Sequence, residues 1–229
     1  MSAFAGKSFV LRVDETTAFA EDSTLTSDLS FLSRHNVRPI VVAPNPPAAH
    51  ALVRTINRSG NAAVGLDGAD AAMLPQRGPG LGHIQPGILE TLTQNGYIPV
   101  VQPTSFAPFG EDAALHADEV AQAIAASTEA IRAIFFHVLG GVPDPKTAAL
   151  IDELTPAEAL ELAADPRVPE DLRGAMRAAA LGVRAGVQAA QIVDGRVAHV
   201  SIVELLTQQH LGTQVTGSVL TCTSEDFPC

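Results

Sequence analysis

RPIVVAPNPPAAHALVRTINRSGNAAVGL, residues 38–66, contains the repeating unit that sets the fold. RPIVVA (38–43) is a short apolar run rich in β-branched residues. PPAAHALVRTINRSG (46–60) has helical periodicity, with proline at its start and glycine at its end. AAVGL (62–66) is a second strand-like run. Working outward, the same alternation returns. SFVLRV (8–13), YIPVVQ (97–102), AIFFHV (133–138) and AAQIVD (189–194) read as strands. Helices are expected after Asp22–Ser23, over PGILETLTQNG (86–96), and from Thr155-Pro156-Ala157-Glu158, where a Thr cap, Pro at N1 and Glu at N3 coincide. Strands alternating with amphipathic helices specify an α/β fold with a mainly parallel sheet and helices on its faces. No low-complexity linker divides the chain, so residues 1–216 read as one domain, with room for a shift of lobe near residue 110, followed by a tail at 217–229.

With 229 residues and 46% hydrophobic content, the chain is long enough to bury a sizeable core. A net charge of -11 argues against a nucleic-acid partner, which requires a concentrated Lys/Arg surface. The start MSAFAGKSFVLRV has no apolar signal region, and no apolar stretch approaches membrane-spanning length. A cytoplasmic protein without membrane association is expected. Cys222 and Cys229 both fall in TCTSEDFPC. They read as ordinary thiols of a tail, a small closed loop or a shared metal being the alternatives.

Several motifs fade on inspection. Gly6-Lys7-Ser8 lacks the upstream strand and glycine of a phosphate loop. His116, Asp118 and Glu119 would need a ligand from elsewhere to hold a metal, and they read better as a helix start with an acidic first turn, so no metal is expected. His83, His199 and His210 are scattered, and Asn57-Arg58-Ser59 is a sequon only by pattern.

From Ala62 onward the text is specific. AVGLDGADAAML (63–74), GILETLTQNGYIPVVQP (87–103), HADEVAQAIA (116–125), GGVPDP (140–145) and IVDGRVAHVSIVELLTQQHLGTQV (192–215) resemble N-acetylglutamate kinases of the amino acid kinase family, in the right order and over about two thirds of the chain. The resemblance implies a three-layer αβα sandwich around a mainly parallel sheet. It also implies transfer of the γ-phosphoryl of ATP, with Mg²⁺, to a carboxylate. That chemistry rests on positioning and charge neutralisation, and here most of its parts are replaced.

Where the family's first strand ends in Lys-x-Gly-Gly, this chain has Arg12-Val13-Asp14-Glu15. Arg12 keeps a cation, but a carboxylate of Asp14 or Glu15 about 4 Å from a phosphate would cost roughly 4 kcal/mol at an effective dielectric of about 20, about a thousandfold in affinity. The family's His-Gly-Gly-Gly-Pro becomes Ala43-Pro44-Asn45-Pro46-Pro47, and proline has no amide N–H to offer a phosphate. The segment that covers the acyl amino acid in the family has no counterpart after PPAAH. Asn-x-Asn-Ala-Asp becomes Ala114-Leu115-His116-Ala117-Asp118, which keeps only the carboxylate. The family's second catalytic lysine falls on Ala175, with Arg173 and Arg177 about 200° away round a helix. His137-Val138 replaces the Thr-Asp that lines the nucleotide, while Gly141 and Asp144 survive.

The expected protein is therefore a catalytically degenerate, acetylglutamate kinase-like member with a binding or regulatory role in arginine or related amino-acid biosynthesis, without cofactor. The alternative is an active kinase acting on N-acetylglutamate with ATP and Mg²⁺. Asp118 and Arg12 are the candidate catalytic groups. Asp14, Glu15, Asn45, Gly65, Gly68, Asp70, His116, His137, Gly140 and Gly141 are the candidate ligand contacts. Gly65 and Gly68 in GLDGAD, and Gly140-Gly141, either admit a ligand or simply make tight turns. Lost phosphate donors and gained carboxylates favour a neutral or cationic small molecule, such as a basic amino acid. The apolar face of residues 51–60 is a candidate two-fold surface for a homo-oligomer.

Overall fold

The computed structural model describes residues 4–18, 23–60, 62–78, 80–207 and 211–217. Its strands are β1 (Ser8–Arg12), β2 (Arg38–Val42), β3 (Ala63–Leu66), β4 (Gln76–Arg77), β5 (Gly80–Leu81), β6 (Ile98–Val101), β7 (Arg132–Phe136), β8 (Val142–Pro143), β9 (Leu150–Ile151), β10 (Glu153–Leu154), β11 (Ala189–Val193) and β12 (Thr213–Thr216). The helices are α1 (Glu15–Ala18), α2 (Leu25–Arg34), α3 (Pro46–Gly60), α4 (Gly87–Gln94), α5 (Ala117–Ser127), α6 (Pro156–Leu162), α7 (Glu170–Arg184) and α8 (Val200–Leu206).

Eight strands form one sheet in the order β10-β12-β11-β7-β1-β2-β6-β3. From β3 to β11 every pairing is parallel, and β12 runs antiparallel to β11. Two short hairpins, β4–β5 and β8–β9, lie outside it. Strand alternation sorts the core into two faces. On β1, Val10 packs with one apolar cluster while Phe9 and Leu11 pack with the other. On β7, Ala133 and Phe135 face one way, Ile134 and Phe136 the other. Ile124 of α5 and Met176 of α7 cover the first face; Leu29 of α2 and Leu52 of α3 cover the second. The product is the three-layer αβα sandwich.

All six strands expected from sequence form, most of them one residue shorter at an end. β10 and β12 escape a reading of the sequence, because runs of two and four residues carry too little periodicity to stand out. The capping box at Thr155 forms as read: its hydroxyl accepts from Glu158 N at 3.3 Å and Glu158 Oε2 accepts from Thr155 N at 2.8 Å. The helix expected after Asp22–Ser23 starts at Leu25 with Thr24 as its N-cap residue. The eight-stranded sheet draws strands from both sides of residue 110, and the tail from 218 onward, with Cys222 and Cys229, lies outside the described residues.

Candidate functional site

β1 lies between β2 on one side and β7 on the other, so the strand order reverses around it. Ligands of open α/β sheets bind in the crevice at the carboxyl ends of strands at such a reversal. Arg12 ends β1 there, level with Val42 and Phe135. Its Nε lies 2.7 Å from Asp118 Oδ1 in the first turn of α5, and its Nη1 donates to Phe136 O at 3.3 Å. The ion pair is close and largely buried. Burial raises the Asp118 carboxyl above its ordinary value, against the opposing pull of Arg12, His116 and His137.

His137 follows β7 and is buried. Its Nδ1 accepts from Leu139 N at 3.2 Å, and its Nε2 lies 3.2 Å from Asp171 Oδ2. The end of β7 thereby meets the start of α7. Gly174, one turn further along α7, sits against the Asp118 carboxylate: a Cβ there would come within 2.7 Å of Asp118 Oδ2.

Around the start of α3, backbone donors are closed off. Pro44, Pro46 and Pro47 have none. Ala43 N donates to Val101 O at 3.0 Å, Ala48 N to Asn45 Oδ1 at 2.9 Å and Ala49 N to Asn45 O at 3.0 Å. Asn45 Nδ2 donates in turn to Glu15 Oε1. From Ala43 to Ala49, every amide except that of Asn45 itself is either missing or engaged. The helix terminus carries a side-chain cap and a neighbouring carboxylate of its own chain.

The retained glycines have local explanations. A Cβ on Gly68 would lie 2.1 Å from Thr104 O, and one on Gly141 2.9 Å from Thr213 Oγ1, so both permit close passage of chain segments. Gly140 has φ +70 in the turn after β7, beside Asp194. Gly65 makes only ordinary contact with Val53. Asp70 Oδ2 accepts from Asp67 N at 2.8 Å within its own turn. Arg196 of the Asp-Gly-Arg block is also used internally: it forks onto Asp194 with two bonds of 2.8 Å and donates to Val138 O at 2.9 Å. Those bonds hold the Asp194 carboxyl below its ordinary range, and Asp14 adds to the field that keeps Arg196 charged.

Asp118 also opens onto a cleft of about 320 Å³ between α5 and α7, with His116, Glu119, Glu170, Arg177 and Leu181 among its lining. Ala175, at the position of the family's lysine, is buried in the core. Arg177 belongs to the cleft lining, with one Nη2 bond to Ala163 O at 3.2 Å. Glu170, Gly174 and Arg177 are missing from the candidates that the sequence offers. Their spacing along α7 with Ala178 and Leu181 follows one helical face, and only a known partner helix would have drawn attention to it. Arg12, His116, Asp118 and His137 come together here, Glu15 and Asn45 lie beside the start of α3, and Asp14 lies within the field of Arg196, whereas Gly65, Gly68 and Asp70 belong to β3 and the turn after it. Among the described residues no group of three or more His, Cys, Asp or Glu gathers to hold a metal. No helix among them is long and apolar enough to cross a membrane.

No family model matches the chain. Acetylglutamate kinase of Paracidovorax citrulli is 31% identical over 182 residues, covering 72% of this chain and 61% of the relative. The enzyme of the same name from Nostoc punctiforme is 30% identical over 270 residues, covering 95% of this chain and 90% of the relative. The chain thus spans about three fifths of the length of some of these relatives in the aligned region. Because the Nostoc alignment extends over 270 residues and the whole chain has 229, the relative carries internal positions that this chain lacks. Among solved structures, N-acetylglutamate synthase from Neisseria gonorrhoeae complexed with coenzyme A and N-acetyl-glutamate superposes with a TM-score of 0.78 at 17% identity, over 95% of this chain and 61% of that one. Carbamate kinase from Giardia lamblia bound to AMP-PNP gives 0.70 at 14%, over 95% and 100%. Sequence blocks, sheet order and these likenesses agree, and the chain belongs to the amino acid kinase family as an acetylglutamate kinase-like member.

Proposed function

We propose that this chain is a non-phosphorylating member of its family that binds a small neutral or cationic molecule and serves as a binding or regulatory protein in arginine or related amino-acid biosynthesis. The observation that carries the reading is the closed start of α3. A phosphoryl group in flight is stabilised by backbone donors aimed at it, and here Pro46, Pro47 and the two bonds to Asn45 remove those donors while Glu15 adds an anion. Arg12, which stands where the family's first lysine does, is held by Asp118 and Phe136 O. Ala175 provides no second cation.

Two measurements test this. Titration with Mg-ATP is expected to give no saturable binding up to millimolar concentration. A coupled assay with N-acetylglutamate, ATP and Mg²⁺ is expected to stay at background. Turnover at ordinary kinase rates, about 1–100 per second, would establish the alternative of carboxyl phosphorylation.

A further inference from the structure

The cleft between α5 and α7 differs chemically from an anion site. Its mouth is acidic: Glu119 in the first turn of α5 and Glu170 in the first turn of α7 both line it, and neither makes an ion pair or side-chain hydrogen bond among the described residues. Its floor holds Asp118, whose side chain is 8% exposed. The Arg12 contact is made to Oδ1, and Oδ2 lies on the Gly174 side. Gly174 packs directly against that oxygen, with no room there for a Cβ, so α7 closes over Asp118 at this point and the carboxylate acts on the cleft from its buried edge. Further along α7 the wall turns apolar, with Ala178 and Leu181, the latter 45% exposed, while α5 contributes the amide of Gln122.

Two cations oppose this acidity. Arg12 is engaged by Asp118, and Arg177 donates to Ala163 O while lining one side. Asp118, Glu119 and Glu170 outnumber the guanidinium groups of Arg177 in the lining and of Arg12 behind Asp118, and the imidazole of His116 completes the ionisable lining. Helix polarity alone would draw an anion to the starts of α5 and α7. Both first turns already carry two carboxylates each, Asp118 with Glu119 and Glu170 with Asp171, so that an incoming phosphate would meet like charge.

We propose that this cleft is a binding site for a short aliphatic primary amine, its ammonium group held between Glu119, Glu170 and Asp118 and its methylene chain lying along Ala178 and Leu181. This rests on the non-phosphorylating reading above and gives its ligand a chemical class. A volume of about 320 Å³ suits a molecule of that size.

The test uses the full chain and three probes with the same carbon chain: pentylamine, pentanoate and 1,5-diaminopentane, followed by calorimetry and thermal shift, with Mg-ATP run in parallel. Both amines are expected to bind and to raise the unfolding midpoint, and pentanoate to do neither. The double variant Glu119→Gln, Glu170→Gln, altered only at exposed positions, should weaken amine binding about tenfold. Leu181→Asp, which removes apolar wall but adds charge, should discriminate against pentylamine relative to the diamine. Absence of amine binding at about 10 mM, beyond the scale of the weakest useful affinities, or binding of pentanoate equal to pentylamine, would overturn the proposal. So would amine binding that the double variant leaves unchanged. Mg-ATP binding with phosphoryl transfer would instead overturn the non-phosphorylating reading, and the two failures are read from different arms.

Discussion

Asp118 concentrates the electrostatics of the site at the level of a single residue. It is buried, paired to Arg12 at 2.7 Å, and still has its carboxyl raised above the ordinary value, because the cost of removing its charge from water exceeds what the neighbouring cations return. The sign of the pH dependence follows. A carboxyl whose folded pKa lies above its unfolded value contributes stability that is complete below the unfolded value, about pH 4, and is lost as pH rises through the folded pKa. Wild-type protein is therefore expected to lose stability relative to Asp118→Asn as pH is raised from about 4 toward 7. Urea unfolding midpoints of the two proteins across that range check it, and a constant difference between them would show that this carboxyl titrates alike in both states. Asp28 shows the same direction for the same cause: it is 1% exposed, and His199 Nδ1 at 2.7 Å only partly offsets its burial. The sequence identified Asp118 through the retained block but could not show its burial, which depends on α7 closing over it at Gly174.

At the level of elements, the start of α3 joins local sequence to the closure of backbone donors at a helix terminus. Asn45 is the cap, with its side chain on Ala48 N and its carbonyl on Ala49 N. Proline fits the two positions after it because their amides would have no partner inside the helix. Asn45→Ala should therefore cost about 1 kcal/mol of stability, read as a drop in the denaturant midpoint with the slope unchanged, and it should not create ATP binding, since Pro46 and Pro47 still lack donors. The other end of α3 is fastened by Asn57, which exchanges bonds of 2.7 and 2.9 Å with the backbone of Ala63 at the start of β3. Sequence marked this asparagine only as part of a sequon, because a contact six residues away has no signature until the helix and strand are placed.

Across the whole molecule, the parts of a kinase site come from separate places: the segment after β1, the loop after β2, the start of α5 and one face of α7. On the non-phosphorylating reading, their replacements act together, and one reversal leaves the others in place. Asp14→Gly combined with Glu15→Gly is expected to leave phosphoryl transfer from ATP at background in the coupled assay, because neither the donors of the α3 terminus nor a cation at 175 returns. The amino-acid sequence by itself determined the α/β class, the six parallel strands and the family. Those follow from periodicity and from blocks of residues whose order survives without knowledge of contacts. It also determined the missing proline amides, which are a matter of covalent structure. Only the tertiary structure decided that Asn45 and Glu15 fill the vacated helix terminus, that Gly68 and Gly141 are required by neighbouring chain segments, and that Arg177 lines a cleft with Asp118. Each of these depends on where segments distant in the chain approach one another, and such distances are fixed by packing of the two apolar faces of the sheet rather than by local sequence.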